Sequence, residues 1–285
     1  MTQEGNCWLC GKFGPLTREH IPPESAFNDH EILLQAVDAR SEKIVWKGEV
    51  VTGLIVRSLC ARCNSKAGRM YGSHYADFIR DVAEKVDRAK DGEKITVVVN
   101  RPLSILKQIM QNFVSANGEN FVKTHPWIRK FLRDSRNRDF PQDLYVYAFA
   151  VTGKAGRKSG VSGFYDLVNK KIFVVAEFTF WPIGTVLAFQ PMDHYRLTPV
   201  HQYASYDYTV SNAKLFLSLP VNPASSAYPV DFRTQDNILN QRGDDQSHRV
   251  TEEQGKEMME KVFKQSGKDE EANYVFSGHP NSFRG

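Results

Sequence analysis

The chain has 285 residues, of which 41% are hydrophobic and 25% charged, with a formal net charge of +4. That is the composition of an ordinary globular protein, and the charge is too small to identify a nucleic-acid partner by itself. The length suits two domains; no apolar run approaches the ~18 residues needed to span a bilayer, and the longest, from Ile172 to Phe189, is interrupted by Glu177, Pro182 and Gly184.

Met1 to Asn6 contain no apolar core of the kind an export signal needs, so the expectation is a cytoplasmic protein with reduced thiols. All four cysteines fall in two CxxC pairs, Cys7-Trp8-Leu9-Cys10 and Cys60-Ala61-Arg62-Cys63. Each CxxC turn presents two sulfurs to one ion, and two such turns complete a tetrahedron, which predicts one structural Zn²⁺ site. Between the pairs lies Leu16-Thr17-Arg18-Glu19-His20-Ile21-Pro22-Pro23, then a long insertion from Glu24 to Val56. In it, Glu31 to Val37 suits a strand or a short helix. Lys43 to Trp46 and Glu49 to Thr52 read as a β-hairpin turning at Lys47-Gly48, extending the hairpin that carries the first cysteines. From Ala61 the pattern is helical, with Cys63 and Asn64 in the first turn. Gly68 and Gly72 each weaken that helix by ~1 kcal/mol relative to alanine, so a break is expected near Tyr71 to Ser73.

The Glu-His-Ile-Pro step after one CxxC, with a second CxxC that continues into asparagine, resembles the HNH endonuclease superfamily, in particular its zinc-knuckle members. The resemblance covers roughly residues 5 to 75, about a quarter of the chain. It implies a treble-clef ββα-metal module in which a hairpin and a helix hold one catalytic divalent ion beside the structural zinc. Carried over residue by residue, His20 would be the general base, and Glu19 and Asn64 the ligands of a catalytic Mg²⁺ or Mn²⁺. Cys7, Cys10, Cys60 and Cys63 would bind zinc, and Arg18, Lys66 and Arg69 would lie where phosphates pass. Two positions depart from the pattern. No asparagine occurs in Gly53-Leu54-Ile55-Val56-Arg57 before the second CxxC, and Asn64 stands where histidine is common. The residue types suit the chemistry in their own right: an imidazole titrating near neutrality can deprotonate water, and carboxylate or amide oxygens suit hard cations.

Apolar positions Phe78, Ile79, Val82 and Val86 recur at helical spacing between Tyr75 and Ala89. Lys94 to Val99 reads as a strand. Pro102 opens a helix with Leu103, Leu106, Ile109, Met110 and Phe113 on one face, closed by Gly118, and a third helix runs from Trp127 to Leu132. Basic residues are densest from Lys123 to Arg138, where six stand against Asp134; such a cluster could meet phosphates, but taken alone a solvated helix face explains the run better. After Pro141 the texture is β, with strands expected at 144–152, 160–167, 171–180, 185–190 and about 208–219, and Val168 to Lys171 as a hairpin turn. Gly153 to Gly160 reads as a flexible basic loop. Beyond Arg233 the tail is polar, with one amphipathic helix over Thr251 to Gln265 bearing Met258, Met259, Val262 and Phe263.

The expected architecture is therefore α+β: a zinc-binding nuclease-like module over 1–90, an α+β domain with an antiparallel sheet over 91–232, and a tail over 233–285. The functional expectation is a metal-dependent endonuclease acting on DNA in preference to RNA, of a kind that suits bacterial or phage conflict. The second domain would bind substrate, a protein partner or a regulatory ligand. The alternative is a non-catalytic zinc module that binds nucleic acid or protein.

Overall fold

A computed structural model describes residues 3–37, 44–153, 155–166, 171–193, 195–209, 215–223, 252–266 and 273–278. The fold is mixed α and β, and every strand pair is antiparallel. Among the described residues no helix is long and apolar enough to cross a membrane.

Strands β1 (Gln3–Asn6), β2 (Phe13–His20) and β5 (Ile55–Cys60) form a three-stranded sheet in the order β1-β2-β5. The register of β2 against β5 shifts between Thr17 and Glu19, so that Arg57 and Ser58 together oppose Arg18. Such a bulge re-aims neighbouring side chains. From Cys60 the chain passes directly into a helix in three parts: α1 (Ala61–Ala67), a π-helical turn (Gly68–Gly72) and α2 (Ser73–Val86). The break expected near Tyr71 is thus a π-turn inside a continuous helix. The glycines add no side chain there, and Gly72 lies against Pro23 and Gln108.

The insertion between the cysteine pairs folds differently from its expectation. β3 (Glu31–Val37) pairs with β4 (Ile44–Thr52), which continues past Lys47-Gly48 with a register shift there. The residues that join the two strands, 38–43, lie outside the described residues. Nor does this hairpin extend the β1-β2-β5 sheet. It forms one end of an eight-stranded sheet with β7 (Tyr145–Ala150), β8 (Ala155–Asp166), β9 (Lys171–Phe180), β10 (Ile183–Ala188), β11 (Thr198–Pro199) and β13 (Asn273–Gly278), in the order β11-β7-β10-β9-β8-β13-β3-β4. The basic stretch read as a flexible loop is the first half of β8, paired with both β9 and β13. The turn expected at 168–171 lies largely outside the described residues. A separate two-stranded sheet joins β6 (Lys94–Val99) to β12 (Leu215–Pro220).

Helix α3 (Pro102–Asn117) is the centre of the molecule: all sixteen of its residues are buried, polar ones included. It packs on α2, the π-turn, β8 and β9. On β9, Val174, Ala176, Phe178 and Phe180 join the core that holds α3, while Phe173 and Val175 face the opposite cluster with Tyr147, Phe149 and Val186. This period-two alternation gives the sheet two buried faces. The α3 core runs without interruption from Cys7, Leu16 and Ile21 to Leu219 and Val221. A shared sheet and a shared core include residues on both sides of the boundary expected at residue 90. Short helices α4 (Glu119–Thr124) and α5 (Trp127–Arg133) follow α3. In the tail, α6 (Glu252–Ser266) matches the amphipathic segment; Val262 reaches the core and Gln265 Oε1 lies 3.1 Å from His125 Nε2. The side chains of Met258, Met259 and Phe263, and the stretch 233–251, lie outside the described residues.

Candidate functional site

The four cysteines converge. Cys7 to Gly11 form a tight turn: Gly11 N–H donates to Cys7 O at 2.7 Å, Cys7 N–H to Lys12 O at 2.9 Å, and Gly11 takes φ +74°, which glycine accommodates without cost. Trp8 N–H donates to Ser58 O at 3.0 Å, fixing the turn to β5. Cys60 ends β5, Cys63 lies in the first turn of α1, and all four Sγ atoms fall within 4.8 Å of one another. Zinc bound tetrahedrally at 2.3 Å requires sulfurs about 3.8 Å apart, and Cys10 and Cys60 Sγ stand at 3.8 Å. The donors also fit electrostatically. Burial pushes the Cys7 and Cys63 thiols up. At Cys10 burial acts the same way but is outweighed by hydrogen bonds from the Lys12 backbone and the neighbouring thiols, which draw it down to about 7. Four thiols in one cluster cannot all ionise unaided; a divalent cation removes that obstacle.

His20 closes β2 and is held from one side. Its Nδ1 lies 3.0 Å from Asn28 O. A carbonyl only accepts, so Nδ1 carries the proton and the neutral ring keeps its lone pair on Nε2. Asn28 is itself immobilised: its Nδ2 donates to Pro22 O at 2.7 Å and Leu54 O at 3.1 Å, and its Oδ1 accepts from Leu54 N–H at 2.6 Å. Phe27, in the left-handed region at φ +64°, packs edge-on against Trp181 at 4.8 Å. Strain of this sort persists only where the surroundings enforce it. Gly53 completes the contact. With φ +71°, a Cβ there would stand 2.4 Å from Asn28 O and 3.0 Å from His20 Nδ1.

Glu19 does not join His20. Adjacent strand residues point to opposite faces, and Glu19 is only 3% exposed. Its carboxyl accepts from Ser58 Oγ, from Gln111 Nε2 at 2.5 Å and from Ser115 Oγ at 3.4 Å. Burial pushes its carboxyl above the usual range against the pull of those hydrogen bonds. Gln111 Oε1, buried without a partner, is an acceptor one amide flip away from a protonated Glu19. The expectation that Glu19 ligates an open cation thus conflicts with where the strand puts it: a hydrated ion needs oxygens that water can reach.

Asn64 is aimed back at β2, its Nδ2 donating to Thr17 Oγ1 at 3.0 Å and Arg18 O at 3.2 Å. Along a strand this is about 7–10 Å from His20 at the usual rise per residue. Arg18 and Arg69 are exposed; Lys66 is exposed but spends one N–H on Arg133 O at 2.7 Å. Among the described residues the cysteine cluster is the single group of three or more His, Cys, Asp or Glu side chains placed to hold a metal.

Asn28, Phe27, Gly53, Ser58 and Gln111 were not anticipated as parts of this site. Asn28 sits in a polar run with no spacing rule to mark it, and Gln111 is ninety-two residues from its partner. Only Gly53 carried a local signal. The fold and site define an α+β protein with four cysteines gathered near its N-terminus and a histidine held by Asn28. No family model, curated protein or solved structure matches the chain.

Proposed function

We propose that the chain is an HNH-type endonuclease hydrolysing phosphodiester bonds, preferentially in DNA, on a treble-clef module made of the Cys7–Gly11 turn, β2, β5 and α1. The observation that carries the reading is the fixing of His20 Nδ1 by Asn28 O, which leaves the lone pair on Nε2, on the strand paired with the one that ends at Cys60. In this reading Zn²⁺ at Cys7, Cys10, Cys60 and Cys63 locks the end of β5 and the start of α1 to the first turn. His20 Nε2 takes the proton from the attacking water, and its Nδ1–H shares the resulting charge with Asn28 O. Arg18 and Arg69 meet phosphate oxygens, and Asn64 braces the helix start against β2. Bound Mg²⁺ or Mn²⁺ would supply stabilisation of the charge on the leaving oxygen; since Glu19 does not offer itself, no step is assigned to that ion's ligands.

A second reading, a zinc module that binds nucleic acid without cutting it, is favoured by one observation, the enclosure of Glu19. Supercoiled plasmid incubated with zinc-loaded protein and Mg²⁺ or Mn²⁺ separates the two. The nuclease reading expects metal-dependent nicking that falls at least ~100-fold in His20→Ala, the usual scale for a lost general base, with zinc content unchanged. No nicking by folded wild type, or equal nicking by the variant, overturns it.

A further inference from the structure

The basic run between Lys123 and Arg138 is ambiguous in the sequence, yet in the structure it stands against the cysteine module. Arg129 Nε donates to Trp8 O in the first cysteine turn at 3.0 Å. Lys66 of α1 donates to Arg133 O, and Tyr71 Oη of the π-turn donates to Leu132 O at 3.0 Å. Two hydrogen bonds thus clasp α5 to the helix that carries Cys63 and Asn64, and a third ties it to the first cysteine turn.

The turn is also shaped from beneath. Lys107 of α3, fully buried, donates from Nζ to Phe131 O, to Asp134 O at 3.0 Å and to Asn137 O at 2.8 Å. Its ammonium lies 3.8 Å from the centre of the Phe131 ring. An internal ammonium that gathers three carbonyls draws the backbone inward, and Arg133, Arg136 and Arg138 are all exposed on the outside. The acids of the turn are partly occupied: Asp139 pairs with Lys130 at 2.9 Å, and Asp134 Oδ1 accepts from Arg136 N–H at 3.0 Å. Arg138 leans on Ser205 O, and Asp207 lies near Arg138 and, with a weaker effect, near Arg136; Arg133 and Arg136 remain exposed to a ligand. Across the clasp, α1 and the π-turn carry Arg62, Lys66 and Arg69 and no acidic residue. Residues 62, 66 and 69 follow helical one-face spacing, so the clasp at Lys66 puts that face next to Arg133.

We propose that Arg62, Lys66 and Arg69 together with Arg133 and Arg136 form one surface that follows the phosphate backbone of DNA past His20, its second half preset by Lys107. This rests on the nucleic-acid part of the reading above and holds whether the protein cuts or only binds. The geometry is what a backbone track requires: charges on two rigid elements, joined by main-chain hydrogen bonds and oriented before the ligand arrives.

The test is fluorescence anisotropy with a labelled duplex of about twenty base pairs, using zinc-loaded His20→Ala protein without divalent cation across a series of salt concentrations. Arg133→Gln/Arg136→Gln should weaken binding at least tenfold at low salt. It should also lower the slope of log K against log salt by about 1 to 2, since each phosphate contact contributes roughly 0.9. Arg80→Gln on the outer face of α2 should leave both unchanged, and both variants should keep zinc content and circular dichroism. An unchanged slope in the double variant, or a parent protein that does not bind duplex, overturns the surface. Plasmid nicking in the wild-type background keeps the two ideas apart. Arginine-dependent binding without nicking sinks the nuclease and leaves the surface standing; nicking with an unaltered slope does the reverse.

Discussion

Glu19 and His20 are neighbours with opposite surroundings, and the difference is measurable. In the unfolded chain the Glu19 carboxyl titrates near its ordinary 4.5; in the folded protein burial raises it. The folded state therefore binds that proton more tightly, and the stability it contributes is complete below about pH 4.5 and is lost as pH rises through the raised value. Glu19→Gln keeps a neutral side chain in the same place, so its urea midpoint should fall less than the wild type's between pH 4.5 and 8. Parallel curves would mean that Glu19 is charged and compensated in the native protein. The sequence showed an acidic residue beside a histidine and gave no sign that the strand turns them apart. What decides it is Gln111 and Ser115, on a helix far along the chain.

At the scale of elements, the sequence was most legible where one stretch settles its own structure. β6 and β9 begin and end where their residues predict, and α3 opens at Pro102 and stops before Gly118. Legibility failed where the partner was distant. β4 ran through Lys47-Gly48 because β3 offered a longer pairing, and the Gly153 to Gly160 stretch became strand because β9 and β13 flank it. Lys107 is the sharpest case, a lysine at helical spacing that ends wholly inside the protein. Lys107→Met would leave the carbonyls of Phe131, Asp134 and Asn137 without their donor while removing the cost of enclosing a charge. The expected loss is about 2 kcal/mol, within the range for buried hydrogen-bonded groups. Faster hydrogen exchange should be confined to residues 131–139; a loss spread evenly over the molecule would refute a local role.

On the scale of the whole molecule, contacts link the residues on either side of the expected boundary. The Glu19 contacts with Gln111 and Ser115, the Phe27–Trp181 packing and the Arg129–Trp8 hydrogen bond all cross residue 90. Thermal unfolding should accordingly be a single transition, and stripping the metal with a chelator should shift it as a unit. Two resolved transitions, with only the first sensitive to chelation, would restore the modular picture. The four-sulfur centre was legible because its spacing is local chemistry. The support of His20 was not, since it comes from Asn28, Gly53 and Trp181 on three different segments.

Strand β13 occupies an interior place in the eight-stranded sheet, between β8 and β3, although it is the last of the described strands in sequence. A polypeptide made from its N-terminus has completed the β3-β4 hairpin long before residues 273–278 exist, and pairing so remote in sequence is slow to form. The hairpin flanks the loop on which His20 depends. A nascent chain would carry every residue of the cysteine module without the finished frame around it, so that assembly order itself withholds that frame until residues 273–278 have been made.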